Sequence, residues 1–305
     1  MNGSAPAIVA RGLGRRFGER TAVDGLTFEV EQGEIFGMLG PNGAGKTTTL
    51  RMLCGLLAPS AGDAEICGLT LSRQARDIRR VVGLLTEQPG LYDRLTAREN
   101  LVYFARLYGV DGAEISARLA RLFATLGLTG REDDRVGGFS KGMRQKVAIA
   151  RALVHDPKVV FLDEPTSGLD PEASANVRGI VEELASQGRT IVLCTHNLDE
   201  AARLCRRVAV VKGRVLALGA PAELARSAPT VEIQIEGDAA PLLQALADSG
   251  LSATAEDSVL RVALAEESEV PALVARLVGL GARIRKVQPH RELEDTYLRL
   301  VAGGR

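Results

Sequence analysis

Three stretches of this 305-residue chain are apolar without a break: residues 159–162 (VVFL), 191–194 (IVLC) and 208–211 (VAVV). A half-exposed strand alternates. A continuous run of this length marks a strand covered on both faces, as in a parallel sheet sandwiched by helices. Residues 34–39 (EIFGML) read as a fourth such strand, and 7–9, 26–30, 64–68 and 81–85 as shorter ones. The segment 15–25 (RRFGERTAVDG) reads as a turn-rich connection between the first two.

The period changes between residues 92 and 156. Thr96 followed by Glu99 is a capping-box pattern, and the apolar spacing after it predicts a helix. Residues 115–126 form a second amphipathic run. This block reads as a helical subdomain inserted into strand–helix alternation, with Arg98, Arg106, Arg118 and Arg121 on solvated faces. Alternation then resumes, with a helix over 171–184 opened by a proline, a helix over 198–205 and a hairpin turning at Lys212–Gly213.

From residue 229 the texture changes again. Residues 230–236 (TVEIQIE) alternate, and the order strand, helix, two strands, helix, strand is the ferredoxin-like β-α-β-β-α-β pattern. A last helix is expected over 293–301. The expected division is an α/β domain over 1–228 and a small α+β domain over 229–305.

The chemistry concentrates at residues 40–47, GPNGAGKT, which fit G-x-x-x-x-G-K-[ST]. A phosphate chain is wrapped by backbone N–H groups, so Cβ atoms must be absent where the loop comes closest. Gly40, Gly43 and Gly45 meet that need. Lys46 then reaches the β- and γ-phosphates, and the Thr47 hydroxyl can hold Mg²⁺. A strand precedes the motif and a helix over 48–57 follows it, opening beneath the phosphates.

Four features downstream add specificity. The strand at 159–162 delivers Asp163, suited to Mg²⁺, and Glu164, suited to polarising an attacking water. His196 ends the strand of TIVLCTH. Ser140 opens the helix of FSKGMRQKVAIARAL, whose N-terminus suits phosphate. SGLD, residues 167–170, follows the carboxylate pair. Gln88 leaves a strand tip and either reaches a metal or a water or is a solvated loop residue. Phe17 is a packing residue, an exposed loop aromatic or a face for an adenine ring. His155 and His290 read as structural.

Taken together, residues 7–224 resemble the ABC ATPase family. GPNGAGKTT is similar to its Walker A loop, which brings Pro41, Asn42, Ala44 and Thr48 into the nucleotide contacts, and FLDEP to its Walker B strand. Gln88 is similar to the Q-loop, SGLD with Asp170 to the D-loop and His196 to the H-loop. Phe17 falls where the family places its adenine-stacking aromatic. FSKGMRQ departs from LSGGQ at Lys141 and Met143 but keeps Ser140 and Gly142. It resembles the drug-resistance and natural-product-export branch, as does the ending LEDTYLRLV. The resemblance implies an ATPase using ATP and Mg²⁺, with Glu164, His196 and Gln88 in catalysis and Thr47, Gln88 and Asp163 around the metal. It implies a dimer of two such chains, each presenting Ser140 to the other's P-loop. It also implies a separate multi-span permease that holds the dimer at the cytoplasmic face of the membrane. The alternative is a soluble ABC-type ATPase acting on ribosomes or DNA.

Composition narrows the choice. Thirty-eight Lys and Arg balance 38 Asp and Glu, against a dedicated nucleic-acid partner. Four scattered cysteines suggest a reducing compartment. No apolar run approaches the length that spans a bilayer, and the first residues do not read as a signal peptide.

Overall fold

The computed structural model describes residues 5–224, 230–264, 266–289, 297 and 300–301. It divides into two compact units, one ending at Ala220 and the other starting at Pro221. The expected boundary at 228 falls in 225–229, outside the described residues.

In the first unit β1 (Ile8–Phe17) and β2 (Arg20–Val30) form a long antiparallel hairpin. This corrects the expected connection over 15–25. Its polar residues belong to strands exposed near the turn, and the turn itself is only Gly18–Glu19. After β3 (Ile35–Leu39) and α1 (Lys46–Leu53) come β4 (Ala61–Ile66), β5 (Leu69–Thr70), α2 (Leu71–Val81) and β6 (Val82–Leu85). The α2 helix was not anticipated, because LSRQARDIRRV buries only Leu71 and Ile78 and gives little apolar period. The order β2-β1-β4-β5 makes an antiparallel sheet.

The helical block holds α3 (Ala97–Leu107), α4 (Gly112–Thr125) and α5 (Lys141–Leu153). The capping box at α3 forms reciprocally: Glu99 N–H donates to Thr96 Oγ1 at 3.0 Å and Thr96 N–H to Glu99 Oε2 at 2.8 Å. Arg98 and Arg118 are paired, with Asp133 and Glu114.

Next come β7 (Val159–Asp163), α6 (Pro171–Ser186), β8 (Thr190–Thr195), α7 (Leu198–Leu204), β9 (Arg207–Lys212) and β10 (Arg214–Gly219). The second sheet runs β10-β9-β3-β8-β7-β6, parallel except for β10. The three unbroken apolar runs are its buried strands β7, β8 and β9. An ion pair between a half-buried arginine and a buried glutamate fixes the entrance to β3. Arg207 Nε and Nη2 each donate to Glu34 at 2.7 Å, and the Glu34 side chain is fully buried.

The second unit contains the short α8 (Pro221–Leu224), β11 (Thr230–Ile235), α9 (Ala240–Ala247), β12 (Ala253–Glu256), β13 (Val259–Ala263), α10 (Val270–Gly279) and β14 (Ile284–Pro289). Its sheet, ordered β12-β13-β11-β14, is antiparallel throughout and is the ferredoxin-like arrangement. Alternation in β11 sends Val231, Ile233 and Ile235 into a core with Leu246, Leu260, Val262, Leu273 and Leu277. The expected helix over 293–301 and His290 lie almost wholly outside the described residues.

Candidate functional site

Strands β3, β8 and β7 lie side by side and end together: Leu39 is opposite Thr195, and Cys194 is opposite Asp163. Parallel strands put their C-terminal tips on one edge, and open α/β sheets bind ligands there. That register brings the glycine loop, the carboxylate pair and His196 to one cleft of about 330 Å³, lined by residues 41–48, Glu87, Asp163, Glu164, Ser167 and His196, with Arg20 and Ala22 from the hairpin.

The loop's glycines answer to the protein itself as well as to a ligand. Gly45 caps α1 at φ 92°, and a Cβ there would stand 2.6 Å from the Ala22 carbonyl oxygen. A Cβ on Gly40 would stand 2.4 Å from the Val211 carbonyl oxygen. With glycine at the cap, the first N–H groups of α1 have no side-chain acceptor, which suits an anion.

Lys46 is only 6% exposed. Its Nζ donates to the Gly40 carbonyl at 2.6 Å and the Pro41 carbonyl at 3.4 Å, and lies 3.4 Å from Glu164 Oε1. The Thr47 hydroxyl donates to Asp163 Oδ2 at 2.7 Å. Asp163 Oδ1 is buried without a hydrogen-bond partner. Burial raises the Asp163 pKa, the Thr47 bond opposes it, and nearby Glu164 adds to the rise. A buried oxygen without a partner beside a hydroxyl fits a hard cation that keeps its waters and takes phosphate ligands.

Glu164 sits at φ 50°, a left-handed conformation that costs a non-glycine residue of order 1–3 kcal/mol. The surroundings hold it there. Its N–H donates to the Cys194 carbonyl at 2.9 Å, and its Oε2 lies 2.9 Å from His196 Nδ1. The twist turns the carboxylate toward Lys46 and His196.

Other expected residues lie elsewhere. Phe17 is 47% exposed at the hairpin tip, paired in register with Arg20 and outside the cleft lining. Gln88 is not among the lining residues, whereas its neighbour Glu87 is. The loop after Gln88 is fastened to the helical block: Arg151 donates to the Pro89 carbonyl at 2.6 Å, and Arg144 pairs with Asp93 at 2.6 Å. Ser140 caps α5 by accepting from Met143 N–H, and Asp170 caps α6 by accepting from Ala173 N–H. Neither they nor Gly142 line the cleft. His155 is structural as expected. Its Nε2 lies 2.8 Å from the Val82 carbonyl, and its ring stacks on Tyr108 at 3.8 Å.

Strand, glycine loop and helix, with a buried lysine and two carboxylates at the tip of β7, one strand beyond the neighbouring β8, define a P-loop nucleoside triphosphatase. Residues 23–167 match the ABC transporter family. The chain is 46% identical over 214 residues to the Nod factor export ATP-binding protein I of Paraburkholderia xenovorans, covering 70% of each chain. It is 40% identical over 302 residues to that of Burkholderia orbicola, covering 98% of each. Among solved structures it is similar to an ATP binding subunit of an ABC transporter (34% identity, TM-score 0.65, 72% of this chain and 92% of the other). It is also similar to cbiO1 from Clostridium perfringens, described as part of the ABC transporter complex cbiONQ (29%, TM-score 0.67, 72% and 91%). The chain belongs to the ABC transporter family, as a subunit that binds and hydrolyses ATP.

Proposed function

We propose that this chain powers export of a small molecule through a separate multi-span permease, working as a dimer at the cytoplasmic face of the membrane. Its ATPase domain ends near residue 228, with a helical subdomain over about 92–156, and an accessory domain follows. The observation that carries the dimer is that one chain gathers Lys46, Thr47, Asp163, Glu164 and His196 in one cleft, while Ser140, Gly142 and Asp170 lie outside its lining. A second copy, bringing its Ser140 helix to this cleft, completes the site. Among the described residues no helix is long and apolar enough to cross a membrane, so passage of cargo falls to a partner. Kinship with proteins named for Nod factor export supports the outward direction.

The site's residues divide the work. The backbone of residues 41–48 wraps the phosphates, and Lys46 exchanges the Gly40 carbonyl and Glu164 for the β- and γ-phosphates. Glu164 orients a water and takes its proton as the oxygen attacks the γ-phosphorus and ADP leaves. His196, bonded to Glu164, holds that carboxylate and faces the γ-phosphate. Thr47 and Asp163 would hold Mg²⁺, with Gln88 as a further ligand, and the ion would supply neutralisation of phosphate charge. Phe17 stacks on the adenine.

The test is capture from native membranes. A tagged Glu164→Gln chain is given ATP and Mg²⁺, crosslinked, and its partners identified. A multi-span membrane protein is the expected result. Ribosomal or DNA-bound partners without one would replace the export reading with the soluble one.

A further inference from the structure

One buried carboxylate at the edge of the cleft has no part in the mechanism above. Glu200, 2% exposed, stands four residues beyond His196 in the first turn of α7. Asn197 caps this helix, accepting from Glu200 N–H at 3.1 Å. Spaced three residues after the cap, Glu200 would be expected to turn back and complete a capping box. It turns across the sheet edge instead. Its Oε1 accepts from the Thr166 hydroxyl at 2.8 Å. Its Oε2 is buried without a hydrogen-bond partner. Burying a carboxylate this way is costly, and a capping role would not require it.

The Thr166 bond explains the placement. Thr166 is two residues past Glu164, in the turn closed by Ser167 N–H on the Glu164 carbonyl at 3.1 Å. Asn197, which caps the turn that carries Glu200, directly follows His196. Glu200 thus ties the segment that carries Glu164 to the start of α7, next to His196. A second buried side chain holds the same turn from the other side: Gln145 Nε2, on α5, donates to the Pro165 carbonyl at 2.7 Å. Between them sits Glu164, in a backbone conformation it would not adopt unaided.

We infer that Glu200 is a positioning residue for hydrolysis: by bonding Thr166 from the helix turn that follows His196, it fixes the Glu164–His196 pair in the geometry that orients the attacking water. It touches neither nucleotide nor water, and it acts on the chemical step rather than on ATP affinity. The inference rests on the roles given to Glu164 and His196 above.

The test uses the full chain and compares turnover per folded molecule at saturating ATP and Mg²⁺ with the Kd for a fluorescent ATP analogue. Thr166→Val removes the donor while keeping the shape, and Thr166→Ser restores the hydroxyl. The expected result is a loss of roughly tenfold or more in kcat for Thr166→Val, because small misplacements of reacting groups cost up to ~100-fold. Kd should stay within about twofold and Thr166→Ser should recover the activity. Glu200→Leu should lose at least as much, and the double variant should be no worse than the poorer single one, since both break one link. Should Glu200→Leu fail to fold, the Thr166 pair decides alone. A lower melting temperature with unchanged kcat in Thr166→Val overturns the inference, as does failure of serine to rescue. Glu164→Gln separates the two readings. If it too keeps its turnover, the catalytic assignment fails. If it is inactive while Thr166→Val is not, only the positioning role fails.

Discussion

Phe17 offers the most quantitative test of how the nucleotide sits. The ring is 47% exposed at the end of β1. Arg15 covers one face, its guanidinium carbon 4.7 Å from the ring centre and its Nη1 bonded to the Ala58 carbonyl at 2.7 Å. The other face is free for a base. A phenylalanine side chain offers roughly 200 Å², so nearly half exposed it has roughly 95 Å² to cover. At about 25 cal/mol per Å² full coverage is worth about 2 kcal/mol, and a stacked base falls within ~1–3 kcal/mol. Phe17→Ala should therefore raise the Kd for ATP roughly 5- to 100-fold, as each 1.4 kcal/mol is a factor of ten. Turnover at saturating ATP should hold, because the ring touches no reacting atom. Phe17→Tyr should bind like the parent. Titration with a fluorescent ATP analogue, competed by ATP, reads the constant. Affinity within twofold of the parent in Phe17→Ala would refute the stack and leave Phe17 an exposed hairpin aromatic.

Gly45→Ala forces a Cβ against the Ala22 carbonyl at a positive φ, and should cost about 1–3 kcal/mol in a denaturant melt and abolish ATP binding. Arg207→Leu strands the buried Glu34 carboxylate and should cost about 3–5 kcal/mol in the same assay. Burial raises the Asp163 pKa, so its ionised form costs the ligand-free fold stability above that folded value. Asp163→Asn should thus raise the ligand-free melting temperature by a few degrees, about 2–4 °C per kcal/mol, while the extra stabilisation that Mg²⁺ adds to ATP disappears. Burial lowers the His155 pKa below its usual 6.5. The unfolded chain then binds the proton first, so stability is full above about 6.5 and falls as pH drops toward the folded value. Urea midpoints from pH 7.5 to 5 should show that fall, and His155→Gln should flatten it.

The sheet and the site were unevenly legible in the sequence. Strands β7, β8 and β9 announced themselves because burial on both faces leaves polar residues only at their ends. The glycine loop, Asp163, Glu164 and His196 were readable because each stands at the end of such a strand, where register alone brings them together. The β1–β2 hairpin was not, since its exposed half is as polar as a loop. Helix α2 shows the same limit, with only Leu71 and Ile78 buried in a basic surface. Glu200 and Gln145 escaped for another reason. Their partners are Thr166 and the Pro165 carbonyl, 34 and 20 residues away, and a polar side chain gives no local sign of burial.

The shared ending of β3, β8 and β7 predicts where this chain can gain or lose residues. Inserting one residue inside β7 or β8 advances the tip by about 3.3 Å and turns every later side chain to the opposite face. Asp163 or His196 would then leave the cleft although its composition were unchanged. An insertion in the Gln187–Arg189 turn before β8 shifts no strand register and should be absorbed. A scan of single-residue insertions read by ATP hydrolysis should therefore trace the strands as intolerant blocks, with the sheet acting as a ruler whose divisions are single residues.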